Sequence, residues 1–166
     1  MLEPSKVGEA ARRREVENMR FRTFLKNYAD EDTLDAQFLA LHNELFAEYD
    51  CCQCANCCRE GDTPLREGEA LAIATFLGLS EREFSERHLT ESDEGCMLAA
   101  PCRFLQEDGG CAIEDCMPGA CREFPYTNKP ERIGSLLGVV SSAEVCPIVF
   151  EMLQRLKGMY GFRTRR

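Results

Sequence analysis

Five cysteines in eight residues, Cys51-Cys52-Gln53-Cys54-Ala55-Asn56-Cys57-Cys58, constrain this chain more than any other feature. A run of thiols broken by polar Gln53 and Asn56 would fill a core poorly. Cysteines two residues apart, by contrast, let one turn aim both sulfurs at a single ion, at about 2.3 Å for zinc, while backbone amides hydrogen-bond the thiolates. The C-x2-C-x2-C-C run therefore reads as a metal-ligating element. Zinc sites commonly take two ligands from one loop and two from another. C-x2-C-x2-C with a remote cysteine followed by proline is instead the way bacterial ferredoxins ligate a [4Fe–4S] cluster. Cys146-Pro147 could supply that remote ligand, so the spacing favours an iron–sulfur cluster over zinc.

The other cysteines sort by setting. Pro101-Cys102, Gly110-Cys111 and Ala120-Cys121-Arg122 stand in turn-like contexts suited to ligation. One partition puts Cys51, Cys54, Cys57 and Cys146 on one centre and Cys58, Cys102, Cys111 and Cys121 on a second. A single centre with four buried structural thiols fits the same spacing, which does not choose between them. Cys52, Cys96 and Cys116 fall outside the pattern and read as small buried hydrophobes.

Charge and length bound the alternatives. The chain has 166 residues, a formal net charge of -9 and eleven cysteines. An odd number of thiols cannot all pair internally. The N-terminus, with Arg12-Arg13-Arg14-Glu15 and no apolar stretch before a small-residue cleavage site, does not resemble a secretory signal. The expected location is therefore the cytosol, where thiols stay reduced and metal thiolates explain cysteines better than disulfides do. The longest strongly apolar run, Ile148 to Leu153, is far short of the ~20 residues that span a membrane. Residues 51 to 130 carry fifteen acidic and seven basic side chains, the wrong sign for a phosphate backbone. Neither membrane nor nucleic acid is expected as a partner; an acidic surface suits docking to a basic protein. Arg163, Arg165 and Arg166 read as a solvated tail without a role.

The expected fold is mostly α, with a short irregular β hairpin in a small cysteine-rich, metal-stabilised domain and an N-terminal helical hairpin. Its expected parts are a hairpin over 1–50, a metal-binding domain over 51–150, and a helix end with basic tail over 151–166. Phe21, Phe24, Leu25 and Tyr28 make one helical stripe, and Leu34, Phe38, Leu41 and Leu45 make another, with Asp32 placed to cap the second helix. Both stripes are expected to pack within the chain rather than on a partner, and a protein partner is expected at the helical or the acidic surface. A helix is expected from Thr63 to Leu77 with Pro64 in its first turn, followed by one capped by the Ser80-to-Glu83 pair. Glu107-Asp108-Gly109-Gly110 suits a tight hairpin turn between Cys102–Leu105 and Cys111–Ile113. Ile133 to Val140 reads as an irregular strand, and Cys146-Pro147 opens a helix to about Lys157.

These residues carry a family resemblance. Cys51, Cys54, Cys57, Cys58 and Arg59, then Leu77-Gly78-Leu79-Ser80, Pro101-Cys102-Arg103-Phe104-Leu105, Gly110-Cys111-Ala112-Ile113, Pro118, Cys121-Arg122-Glu123-Phe124-Pro125 and Cys146-Pro147 resemble the bacterial CxxCxxCC or YkgJ-type cysteine-cluster proteins, described as zinc- or iron-chelating. The family often has a tyrosine and an arginine where this chain has Glu114 and Met117; neither position is a thiol. A similar cluster occurs as a module of a flagellin lysine methylase, and the resemblance implies a [4Fe–4S] centre as readily as zinc. Three roles follow as expectations. The first is a metal-binding or iron–sulfur protein with a redox, metal-handling or structural role. The second is a metal-dependent or redox enzyme, or an accessory module of a protein-modifying enzyme. The third is a structural zinc-binding interaction module. No G-x-G-x-x-G, P-loop or G-x-S-x-G motif points to catalysis. His42 and His88 read as surface or packing residues rather than bases.

Overall fold

A computed structural model describes residues 1–92 and 95–163. Arg165 and Arg166, part of the basic tail, lie outside them. The chain divides into two units, one made of residues 1–50 with 125 onward and the other of residues 51–124. Residues 125–150, grouped with the cysteine segment on sequence, thus group with the N-terminal helices.

In the first unit, helices form where apolar side chains recur every three or four residues. α1 (Pro4–Arg13) begins on a proline, whose fixed φ suits a first turn, and buries Val7 and Ala11. α2 (Glu15–Tyr28) and α3 (Glu31–Phe46) carry the two stripes. Phe21, Leu25, Leu34, Phe38, Leu41 and Leu45 are all buried, whereas Tyr28, at the end of the first stripe, is exposed. The cap of α3 is Asp30, not Asp32. Its carboxylate accepts from the Thr33 N–H at 2.9 Å and the Thr33 hydroxyl at 2.7 Å, and these bonds hold the Asp30 carboxyl below its ordinary range. Asp32 lies in the first turn, where a negative charge suits the helix dipole without capping it.

The stretch Ile133 to Val140 is not a strand. It lies in α9 (Arg132–Ser142), with Leu136, Val139 and Val140 buried. Gly134 and Gly138 lower helix propensity and gave the stretch its strand-like look, but burial of one apolar face outweighs about 1 kcal/mol per glycine. The carboxylate of Asp35 anchors the helix start by accepting from the Glu131 and Arg132 N–H groups at 2.8 and 2.9 Å. α10 (Pro147–Met159) follows Cys146 as its N-terminal flank. Near its end the buried Lys157 donates to Asn18 at 2.6 Å and pairs with Glu17 at 3.0 Å. α3 packs on α9 and α10, and α2 packs on α9, so the stripes are covered within the unit.

The second unit opens with two one-turn helices, α4 (Cys51–Cys54) and α5 (Asn56–Glu60). The expected helix from Thr63 starts later. Thr63–Pro64 is a strand, β1, and α6 spans Glu69–Phe76 after Gly68 at φ 81°. A proline is tolerated there because β1 is an edge strand. α7 (Glu81–His88) leads into β2 (Leu89–Ser92), and β3 (Gly95–Leu98) pairs antiparallel with both β2 and β1. This small sheet had no alternating sequence pattern long enough to reveal it. The expected hairpin survives as one bridge between Leu105 and Cys111, closed by Gln106 N–H to Gly110 O at 2.9 Å and Ala112 N–H to Phe104 O at 2.8 Å. Ile73, Ala74, Phe84, Leu98, Phe104 and Ile113 form the core, with Cys102, Cys111 and Cys116 packed against it.

The Ser80 capping box is formed at both ends, with the Glu83 N–H donating to Ser80 Oγ and the Ser80 N–H to Glu83 Oε2. Ser80→Ala should therefore cost about 1 kcal/mol, measured as a shift in the chemical-unfolding midpoint of the full chain. An unchanged midpoint would count against the cap.

Candidate metal centre

The thiol run is shaped by a backbone corner. Ala55 adopts φ 40°, left-handed and unusual for a residue with a Cβ, and breaks the helix between Cys54 and Cys57. Its N–H donates to Cys51 O at 2.7 Å, and Arg59 Nη1 donates to Cys54 O at 2.7 Å, so the corner is fastened on both sides. The hairpin turn comes close to the same segment at Gly109, where a Cβ would collide with the Cys52 carbonyl oxygen.

Four of the expected ligands gather from four separate segments of the second unit. Cys102 feels the charge of Cys58, Cys111 feels both, and Cys121 feels all three. A backbone bond ties two of these segments directly, Cys102 N–H to Cys58 O at 2.7 Å. These four are the thiols that one of the two sequence partitions groups together.

Electrostatics at these sulfurs runs in two directions. Burial is the largest effect on Cys102, Cys111 and Cys121, raising each thiol above its ordinary pKa, and neighbouring thiols add to it. Against this, the Phe104 and Leu105 amides hydrogen-bond Cys102 and the Ile113 amide hydrogen-bonds Cys111, which favours thiolate. The Cys121 thiol donates to Thr63 Oγ1 at 3.5 Å. Without a cation the clustered sulfurs hold their protons; with one, the amides already stand where a thiolate wants donors. Cys58 is raised most, first by its hydrogen bond with Cys57 and then by burial. The thiols of Cys57 and Cys58, which one of the two partitions puts on different centres, are hydrogen-bonded to each other.

Side chains that sequence reading missed hold the Cys121 segment in position. The Glu69 carboxylate accepts from the Arg66 N–H and the Gly119 N–H, both at 2.8 Å, while Arg66 Nη1 donates to Glu123 at 2.9 Å. These bonds fasten α8 (Gly119–Glu123), which carries Cys121, to the segment leading into α6. Reading Thr63–Leu77 as one helix hid them, because that reading gave Arg66 and Glu69 only local neighbours.

The remaining expectations resolve individually. Cys116 is half-buried against the core, as a small hydrophobe would be, but Cys52 and Cys96 are exposed, so burial does not account for them. A short surface helix carries the first and a two-sided hairpin strand the second, and neither position is covered. Cys146 is buried in the first unit, where it flanks α10. His42 hydrogen-bonds Thr127 at 2.9 Å, and His88 stacks on Phe84 and Phe104, packing roles in both cases. Among the described residues no three His, Cys, Asp or Glu side chains are arranged as a metal ion would hold them. The four thiols are neighbours rather than a finished coordination sphere, and their soft, clustered sulfur donors with amide N–H support fit zinc or iron.

In a mostly helical chain, a cysteine-rich unit of short helices with four grouped thiols and a small three-stranded sheet defines a small thiol-rich domain. The chain belongs to the CxxCxxCC family, described as a putative zinc- or iron-chelating domain, whose profile matches residues 50–147, more than half of its length. No curated protein and no solved structure matches it. No helix among the described residues is long and apolar enough to cross a membrane.

Proposed function

We propose that the chain is a metal-binding protein whose principal centre is made by Cys58, Cys102, Cys111 and Cys121, with iron–sulfur favoured over zinc. The observation that carries this reading is the mutual coupling of four thiols from four segments, two of them already served by backbone N–H donors. Cys51, Cys54 and Cys57 form an adjoining ligand set, and their ferredoxin-like spacing is what favours iron. When bound, an iron–sulfur cluster would supply one-electron transfer. The protein's own part is to orient the sulfurs, through the Glu69 clamp and the Cys102-to-Cys58 backbone bond, and to donate amide hydrogen bonds that tune them. The role is redox or metal handling in a reducing cytoplasm, with the acidic surface docking on a basic protein partner.

A second reading, a structural zinc module, is favoured by the small core of the second unit, a cluster of six buried side chains among the described residues, since domains with little core often use a metal in its place. Purification without oxygen, followed by metal and sulfide analysis and a visible spectrum, separates the two. Iron with matching sulfide and a broad visible absorption is the expected result. Zinc alone in a colourless protein would sink the iron–sulfur reading and support the second, and a protein that takes up neither metal would overturn the centre.

A further inference from the structure

Outside the thiol cluster, the second unit has a cavity of about 230 Å³ between the end of α7 and the hairpin segment. Arg87, His88 and Arg103 line it with Thr90, over an apolar floor that includes Leu98 and Phe104. The second unit contains six arginines and no lysine against fifteen acidic residues, so two arginines on one small cavity concentrate its scarce positive charge. Neither guanidinium is neutralised in place. Arg87 has only a long pairing with Glu83 at 3.7 Å, on a solvent-exposed face. Arg103 has no hydrogen bond or ion pair among the described residues, and acts on His88 through its charge alone. The acidic residue on the rim, Glu86, is engaged by Arg82 at 2.8 Å.

His88 is the second observation. Its ring lies against Phe84 and Phe104, with centroids 5.2 and 5.3 Å away. This stacking leaves Nδ1 buried and without a hydrogen-bond partner among the described residues. An orphaned buried ring nitrogen costs free energy unless something pairs with it. Burial, then Arg103 and Arg87, hold the imidazole below its ordinary pKa, so near neutral pH it is uncharged and keeps one N–H to donate. The Thr90 hydroxyl already donates to Met97 O at 3.4 Å, so the donors left without a close acceptor are the two guanidiniums and the imidazole N–H.

We infer that this cavity is a binding site for a small oxyanion, of the size of phosphate or a short dicarboxylate, held by Arg87 and Arg103 and by a hydrogen bond from His88 Nδ1. Guanidiniums recognise such groups through paired charge-assisted hydrogen bonds, and the volume has room for one. The site uses no cysteine side chain.

The test is titration of the full, metal-loaded chain with inorganic phosphate, following the His88 imidazole resonances by NMR. Saturable movement of the His88 signals is expected, with Arg103→Gln and Arg87→Gln each weakening binding about tenfold or more, as loss of a charged hydrogen-bond donor does. Arg103 and Arg87 are both exposed, so neither change disturbs the core. Arg13→Gln removes the same charge from an exposed residue of the first unit and should leave binding unchanged. Competition with malonate assigns the natural group, since displacement of phosphate points to a carboxylate and failure to displace it to a phosphate. His88 signals that do not respond, or equal weakening by Arg13→Gln and Arg103→Gln, would overturn the site.

Discussion

Gly109→Ala is expected to destabilise the second unit by about 3 kcal/mol or more, from overpacking added to backbone strain. Two independent features of Gly109 combine. Its φ is 88°, a region that costs a residue with a Cβ, and the new methyl would be driven into the Cys52 carbonyl oxygen. That obstacle is backbone, so it cannot swing aside as a flexible side chain would. Relief requires the hairpin turn to lift from the thiol run, loosening the placement of Cys51 to Cys54 as well as the fold. Gly95→Ala is the matched comparison, because Gly95 has φ 110° but open space around its Cβ position. It should cost only about 1 kcal/mol. Thermal melts of the two variants decide the point: if they shift equally, the close approach to Cys52 contributes nothing.

The second large effect is loss of metal. Cys58→Ser, Cys102→Ser, Cys111→Ser and Cys121→Ser should each sharply reduce bound metal in the purified protein and lower the stability of the second unit by several kcal/mol, because ligation free energy at such sites is folding free energy. Cys96→Ser should retain full metal, being an exposed residue of β3. Cys116→Ser should retain it too, although its thiol is raised by burial and feels Cys111. Metal per chain, measured after desalting, reads both groups of variants. If Cys116→Ser empties the protein while Cys121→Ser does not, the ligand set is wrong at its fourth position.

Much of this molecule was legible because its signals are local. The Ser80 capping box, the Cys146-Pro147 helix start and the stripes of α2 and α3 each depend on side chains within one or two turns, and the spacing records them directly. Cys102, Cys111 and Cys121 could be singled out because each sits in a turn-like context, whereas spacing left open which thiols share a centre. The failures share a cause as well. α9 looked like a strand because its glycines mask a helical period that only packing enforces. Thr63–Pro64 looked like a helix start because proline is at home in either setting, and the partner that decides it, β3, lies more than thirty residues along the chain. The cap was read at Asp32, and the bond from the Thr33 N–H places it two residues earlier, at Asp30. The Glu69 clamp was invisible because Gly119, its second donor, is fifty positions away.

The spacing of the four grouped thiols bears on how much the intervening chain can vary. Forty-four positions separate Cys58 from Cys102, against nine from Cys102 to Cys111 and ten from Cys111 to Cys121. Loop-closure entropy rises only with the logarithm of length, so holding the long link closed costs about 1.3 kcal/mol more than holding a short one. Adding residues to the long segment would change that cost by a few tenths of a kcal/mol. The stretch holding α6, α7 and the outer strands can therefore lengthen or shorten around its surface turns with little effect on ligation. The span from Cys102 to Cys121 has no such slack: with Gly109 pressed on Cys52 and Gly119 held by Glu69, an inserted residue would displace a sulfur.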